Sequence, residues 1–185
     1  MANPISGMGR ALSNLLARAV VRGLNTATKC QMLQVEMAGG EGKSDIEHME
    51  PYGFTAAPLI GAEAVAAYFD GDRSHGVVLV VADRRFRIKG LKTGEVAVYD
   101  DQGQSVTLTR AGIVVNGAGK PITFTNAPKA RFEMDIESTG EIKDKCDSNG
   151  LTMSAMRTSY NGHTHKENGS GGGTTDATTQ KMVAS

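Results

Sequence analysis

Residues 94 to 116 read GEVAVYDDQGQSVTLTRAGIVVN, three short runs separated by the turn sequences DQG and RAG. Val96 and Val98 alternate with other residues in the first run, and Val106 and Leu108 alternate with threonine in the second. Because successive side chains of a strand point to opposite faces, a spacing of two predicts strands with one apolar and one polar face. Glycine in both intervening sequences is typical of tight turns. The stretch therefore predicts a sheet of short strands.

The same pattern of short runs separated by turn sequences continues downstream to residue 160. The predicted strands are 95–99, 105–109, 113–116, 122–125, 131–137, 141–147 and 151–160. Turn sequences spaced in this way are typical of a sandwich, barrel or solenoid. Each run carries few apolar residues, and the chain has no Trp, five Phe and four Tyr. A single chain of this composition buries little, so we predict that three chains wind into one β-prism and share a core.

Upstream of this region, residues 29 to 93 predict a small barrel. Gln31, Leu33, Val35 and Met37 fall on one face of a strand. The apolar runs 62–69 and 76–82 flank the turn sequence 70–74, and an extended run follows at 85–88. Four or five short strands within about 60 residues suit a small closed barrel such as an OB-fold.

The first residues predict an amphipathic helix over 8–23. Its apolar residues recur at intervals of three, four and seven: Met8, Leu12, Leu15, Leu16, Ala19 and Val20. Such a stripe packs onto the following domain or onto a neighbouring copy. Arg18 and Arg22 interrupt the apolar core that a signal peptide requires. The sequence has no apolar run near 18 residues, so no membrane span is predicted.

Charge and cysteine content exclude further classes of function. Lys and Arg number 20 and Asp and Glu also number 20, so the zero net charge implies no polyanionic partner. Cys30 and Cys146 lie far apart in strand-like runs, and we expect both to be reduced. Secretion by the usual route is therefore not expected.

The sequence Gly162-His163-Thr164-His165 closes the series of strands. Alone, the motif fits two solvated loop histidines; after the preceding run of strands, it indicates a metal site. His163 and His165 are two residues apart, so in an extended chain both imidazoles point to one side. Two nitrogens are too few for either a tetrahedral or an octahedral ion. His48 and His75 are distant in sequence, whereas three copies around an axis supply six nitrogens. After this motif, the glycines near 169–173 allow the chain to reverse, and we expect the tail to fold back with Met182 as an apolar anchor.

Several sequence blocks, in this order, resemble the central spike protein of Mu-like contractile-tailed phages. The blocks are Tyr52-Gly53-Phe54, Pro58-Leu59, Gly61-Ala62-Glu63, Gly71-Asp72-Arg73-Ser74, Asp83-Arg84-Arg85-Phe86-Arg87, Gly94-Glu95-Val96-Ala97 and His163-Thr164-His165. The resemblance implies an N-terminal helix and OB-fold, then a trimeric β-helical spike. It also implies one iron ion per trimer at the apex, bound by the six nitrogens of His163 and His165 from three chains. Such a protein sits at the centre of the baseplate and pierces the host envelope.

We therefore predict a mainly β chain of four parts: an N-terminal helix (1–28), an OB-fold-like barrel (29–93), a trimeric shaft (94–161) and a metal-binding apex with a fold-back tail (162–185). The expected partners are two further copies, a baseplate hub protein and the host membrane, which is penetrated mechanically. Neither nucleic acid nor a small-molecule substrate is expected. The expected location is the baseplate at the tail tip of the virion, after synthesis in the host cytoplasm.

Three alternatives remain open at this stage. A spike of a related secretion machine or tailocin would have the same sequence features. An OB-fold that binds nucleic acid would stack bases on aromatic residues, but here the aromatics are scattered among acids. A metal-dependent enzyme would need an open coordination position and a carboxylate, for which only Glu167 lies near His163 and His165. The structural role, without catalysis, explains the most features.

Overall fold

The computed structural model describes residues 15–69, 72, 74–166, 169–179 and 181–182. Two compact units make up the chain: the first ends at Thr123 and the second begins at Phe124. Strands form most of the regular structure in the first unit, and one helix forms most of it in the second. The prediction of a mainly β chain is confirmed.

Five strands of the first unit form a closed barrel in the order β1-β2-β3-β5-β4, with β4 pairing back onto β1. They are β1 (Leu16–Asn25), β2 (Gln31–Met37), β3 (Gly42–His48), β4 (Glu63–Tyr68) and β5 (Gly76–Ala82). All neighbours are antiparallel except β3 and β5. The predicted small barrel is therefore confirmed, although its first strand begins at Leu16 and not after residue 29.

The interior of the barrel contains the entire buried apolar core of the described chain. On β2 the residues that share one face, from Gln31 to Met37, are buried as the alternation predicted. The core residues are Ala19, Val21, Leu33, Val35, Met37, Ile46, Ala62, Ala64, Ala66, Tyr68 and Val78. The hydroxyl of Tyr68 donates to the sulfur of Met37 at 3.1 Å, so its polar atom is satisfied inside the barrel.

The predicted helix over residues 8–23 is wrong from Leu16 onward, because this segment is strand β1. Its residues before 15 lie outside the described part of the chain. Ala19 and Val21 point into the barrel, whereas Arg18 and Arg22 lie outside and pair with Glu63 and Glu36 of the adjacent strands. Pairing with β2 and β4 is a long-range interaction, and it overrides the local helical spacing.

A separate three-stranded antiparallel sheet follows in the first unit. Its strands are β6 (Val96–Tyr99), β7 (Ser105–Leu108) and β8 (Ile113–Asn116), in that order. These strands confirm the predictions made from residues 94–116. The extended run predicted at 85–88 is wrong, since Asp83 to Phe86 form a turn in which the Phe86 amide donates to the Asp83 carbonyl.

Downstream of β8, the predicted strands at 122–125, 131–137, 141–147 and 151–160 are wrong for the single chain. Residues 117–152 are all described and contain no strand, only an isolated bridge between Lys143 and Thr152. A strand requires a hydrogen-bonded neighbour, and the described residues of the chain supply none here. The last of these segments is helix α1 (Met153–Gly162). Within the described residues, no helix has the length and apolar character that crossing a membrane requires.

Candidate functional site

The histidine motif directly follows the carboxyl end of helix α1. The hydroxyl of Thr152 caps the first turn by accepting from the amide of Ala155 at 3.1 Å. The helix ends at Gly162, and His163 has extended dihedral angles of φ −69° and ψ 145°. Residues 163–165 consequently leave the helix as an exposed, extended segment.

The ring of His163 is oriented by the last turn of the helix. Its Nδ1 lies within hydrogen-bonding distance of the Tyr160 carbonyl oxygen, which also accepts from the His163 amide. A carbonyl oxygen only accepts, so Nδ1 is the donor, and in the neutral ring Nε2 then presents the lone pair. The Tyr160 ring packs beside the imidazole at a centroid distance of 5.2 Å. His163 is thus held with its Nε2 free to bind a metal ion.

The imidazoles of His163 and His165 lie close together, with ring centroids 5.2 Å apart and an interplanar angle of 85°. A bound ion would lie about 2.1 Å from each ligating nitrogen, so rings at this separation are near enough to share one ion. The predicted pair of facing imidazoles therefore fits a metal centre of which one chain supplies two ligands.

The described part of one chain does not complete such a centre. No group of three His, Cys, Asp or Glu side chains converges within it. His48 is buried at the end of β3, where its Nδ1 donates to the Gln31 side-chain oxygen, and Cys30 and Cys146 are both free thiols. The acid predicted to lie nearest the motif, Glu167, is outside the described residues. An ion bound by His163 and His165 would therefore need further ligands from outside the described residues of one chain.

The three-stranded sheet carries an apolar surface that the single chain leaves exposed. In antiparallel pairs, residues directly opposite one another share a face. One face of β6, β7 and β8 consists solely of aliphatic side chains: Val96, Val98, Val106, Leu108, Ile113 and Val115. Their exposed fractions run from 40% to 71%. We call these six residues the aliphatic face. The sequence indicated the first four, while the register adds the two from β8.

The second unit also exposes apolar side chains. Met153, Met156 and Tyr160 occupy one stripe of α1 and are each partly exposed. Phe124, Phe132 and Ile136 are exposed in the segment that precedes the helix. In the described part of the chain, no apolar residue after Val78 is buried. The described residues after Val78 therefore contribute no buried side chain to a core within one chain.

Two carboxylates hold the ends of the strands in the three-stranded sheet. Asp100 accepts from the side-chain amide of Gln104 at 2.6 Å and from the backbone amides of Gln102 and Gln104. The Gln104 side chain is the main cause of the lowered pKa of Asp100. Glu95 accepts from the backbone amides of Arg110 and Lys92, which lower its pKa. These contacts fix the turns that bound the aliphatic face.

The tail turns back toward the histidine motif. Gly172, at φ +57°, lies in the turn that begins with Gly169. Beyond it, Thr175 binds the backbone of His165, and Met182 binds Asn161. Met182 is held by its backbone while its side chain stays 50% exposed, so within the described chain it is not the apolar anchor that was predicted. The contact of Thr175 with His165 had no local sequence signal.

The sequence of this chain is similar to one family model and to two known proteins. Residues 18–85 match the family model described as Bacteriophage Mu Gp45, N-terminal. The chain is 32% identical to the baseplate puncturing device gp45 of Escherichia phage Mu, over 90% of this chain and 89% of that protein. It is 31% identical to the Mu-like prophage FluMu protein gp45 of Haemophilus influenzae, over 74% of this chain and 81% of that protein.

Proposed function

Because the chain belongs to the family of the Mu protein gp45, we propose that it is the central spike of a contractile-tail baseplate and punctures the host envelope. The main support is the 32% sequence identity to the Mu baseplate puncturing device, which extends over 90% of the chain. The role is structural and not enzymatic. The protein is a component of the virion and lies at the tip of the tail.

The spike is a homotrimer whose core is assembled between chains. The support is the distribution of apolar surface: the buried core ends at Val78, while the aliphatic face and the α1 stripe remain exposed. Burial is worth about 25 cal/mol for each Å² of apolar surface, so contact between copies at these surfaces is strongly favourable. Residues 94–161 form the shaft, a β-helix or β-prism in which neighbouring chains supply the missing strand partners.

The barrel is the wide, proximal end of the spike. It is an OB-fold, a description supported by five strands closing in the order β1-β2-β3-β5-β4. It docks on a hub protein of the baseplate, because a stably folded barrel with its own core provides a rigid mount for the shaft. Force from tail contraction then passes through the barrel to the apex.

The apex contains a metal ion bound by His163 and His165 of three chains. The fit rests on the Nε2 lone pair of His163 and the 5.2 Å separation of the two rings. Six imidazole nitrogens suit an octahedral ion, and iron is the ion implied by the resemblance of the sequence. When bound, the ion cross-links the three chain ends and has no open position for catalysis. His163 and His165 would bind the ion. The carbonyl oxygen of Tyr160 holds the proton of His163 on Nδ1.

The function is tested in tailed particles assembled with and without this chain. Particles without it should either fail to assemble a baseplate or contract without delivering DNA into the host. Gold-labelled antibodies against the chain should bind at the tail tip of intact particles. Label on the head or sheath, or full infectivity without the chain, would contradict the proposal. A DNA-filled head on the particles separates a phage from a tailocin or secretion machine.

A further inference from the structure

Asn161 lies in the last turn of α1. Its side-chain amide forms two hydrogen bonds with the returning tail. Its Nδ2 donates to the Met182 carbonyl at 3.3 Å, and its Oδ1 accepts from the Met182 amide at 2.8 Å. Only a side-chain amide offers a donor and an acceptor in this arrangement. The backbone carbonyl of Asn161 accepts from Lys181 Nζ at 2.5 Å.

Lys181 provides a cation and a hydrogen-bond donor at the carboxyl end of α1. The last turn of α1 has no basic residue, and the carbonyls at a helix end have no intrahelical partner. A cation at this position is favoured by the helix dipole. Lys181 therefore stabilises the turn of the helix that directly precedes His163.

The tail also holds the other end of the histidine motif. The His165 amide donates to Thr175 Oγ1 at 2.8 Å, and the Thr175 amide donates to the His165 carbonyl at 2.8 Å. Lys166 and Thr174 form an antiparallel bridge alongside. Both backbone polar groups of His165 are thus engaged by one residue of the tail.

We propose that Thr175, Lys181 and Met182 form a clamp that fixes the backbone of residues 161–165 and thereby sets how tightly the apex holds its metal ion. This inference rests on the metal centre proposed above. Without the clamp, His163 and His165 belong to an exposed segment whose ordering costs backbone conformational entropy. A clamp that orders the segment in advance removes that cost from metal binding. Asn161 and Thr175 are positioning residues and do not touch the ion.

Two substitutions in the full-length chain each remove side-chain hydrogen bonds of the clamp with little change of shape. Thr175→Val deletes the acceptor for the His165 amide. Asn161→Leu deletes both side-chain hydrogen bonds to Met182, and leucine favours helix more than asparagine does, so melting of α1 does not explain an effect. Thr174→Val is the matched control, because the Thr174 side chain forms no hydrogen bond within the described residues.

The first readout is amide hydrogen exchange of the peptide covering residues 161–166 in metal-free protein. Both clamp variants should exchange about fivefold faster than wild type at this peptide, since loss of a hydrogen bond opens the segment. The control should exchange like wild type. Equal exchange in all four proteins would overturn the clamp.

The second readout is the release of Fe(II) to a chelator, followed anaerobically with the oligomeric mass measured in parallel. Thr175→Val and Asn161→Leu should release the ion 10–100-fold faster than wild type and Thr174→Val, with the trimer retained. If wild type binds Fe(II) and all variants release it at one rate, the metal centre stands and the clamp is wrong. If wild type binds no Fe(II), the metal centre itself is wrong and the clamp falls with it.

Discussion

Val98 of β6 lies directly opposite Val106 of β7, yet both side chains are largely exposed, at 59% and 40%. Cross-strand valine pairs contribute to a sheet by packing against neighbours, and no described residue of the chain buries this pair. The pair belongs to the aliphatic face. Its exposure is the physical reason to expect association between copies.

Val106→Asp should abolish the trimer. An unpaired charge in a dry interface costs several kcal/mol, and threefold symmetry introduces it three times. Thr107→Asp is the control, because the next residue of β7 lies on the opposite face of the sheet. Light scattering after size-exclusion chromatography should show a monomer for Val106→Asp and a trimer for Thr107→Asp. A trimer in both proteins would mean that the aliphatic face does not mediate assembly.

Gly76→Ala should destabilise the barrel by about 1–3 kcal/mol, because overpacking a core is costly. A Cβ at this position would lie 2.5 Å from Cε1 of Tyr68, a ring that is fully buried. Gly42→Ala, also at the start of a strand, meets no atom within 4 Å and should be close to neutral. Urea unfolding at one chain concentration measures both variants. Equal unfolding midpoints would show that the Tyr68 ring is not fixed against β5.

Asp100→Asn should lower stability at pH 7 and lose that effect in acid. The pKa of Asp100 is lowered from 3.8, chiefly by the Gln104 side chain, so the charged form favours the folded state. This contribution is fully present above pH 3.8 and disappears as the pH falls through the lower folded pKa. Thermal unfolding of wild type and variant between pH 7 and acid should therefore converge below pH 3.8.

The control for this substitution is Asp101→Asn, because the Asp101 side chain forms no hydrogen bond within the described residues. Its melting temperature should equal that of wild type at pH 7. A constant difference between Asp100→Asn and wild type at every pH would rule out the ionic contribution of Asp100.

Replacement of both His163 and His165 by Ala should remove the metal while leaving the trimer intact. The aliphatic face lies in the first unit and does not depend on these histidines for its apolar character. Elemental analysis together with light scattering tests both parts of this expectation. Retention of the ion in the double variant would place the metal elsewhere, and loss of the trimer would make the ion the main source of assembly.

The sequence predicted those strands whose apolar residues alternate locally. Leu33 and Val35 on β2, and Val96 and Val98 on β6, show a spacing of two that needs no knowledge of the partner strand. Strand β1 was missed because its leucines and alanines also fit a helical spacing. Its identity depends on pairing with β2 and β4, which local sequence does not encode.

The predictions downstream of residue 116 failed for two different reasons. The segment after Leu151 had a usable helix signal, since Thr152 is a capping residue and Met153, Met156 and Tyr160 recur at helical spacing. The segments 122–125 and 131–137 alternate as strands do but have no strand partner among the residues that the structure describes. The histidine pair was predictable from its spacing, whereas Thr175 reaches His165 only through the path of the tail.

The most direct test of a homotrimeric, metal-tipped spike is the mass of the purified chain in solution at micromolar concentration, with iron determined on the same sample. We predict the mass of three chains and about one ion for each trimer. A folded monomer at this concentration, or one ion bound by each chain, would contradict this architecture.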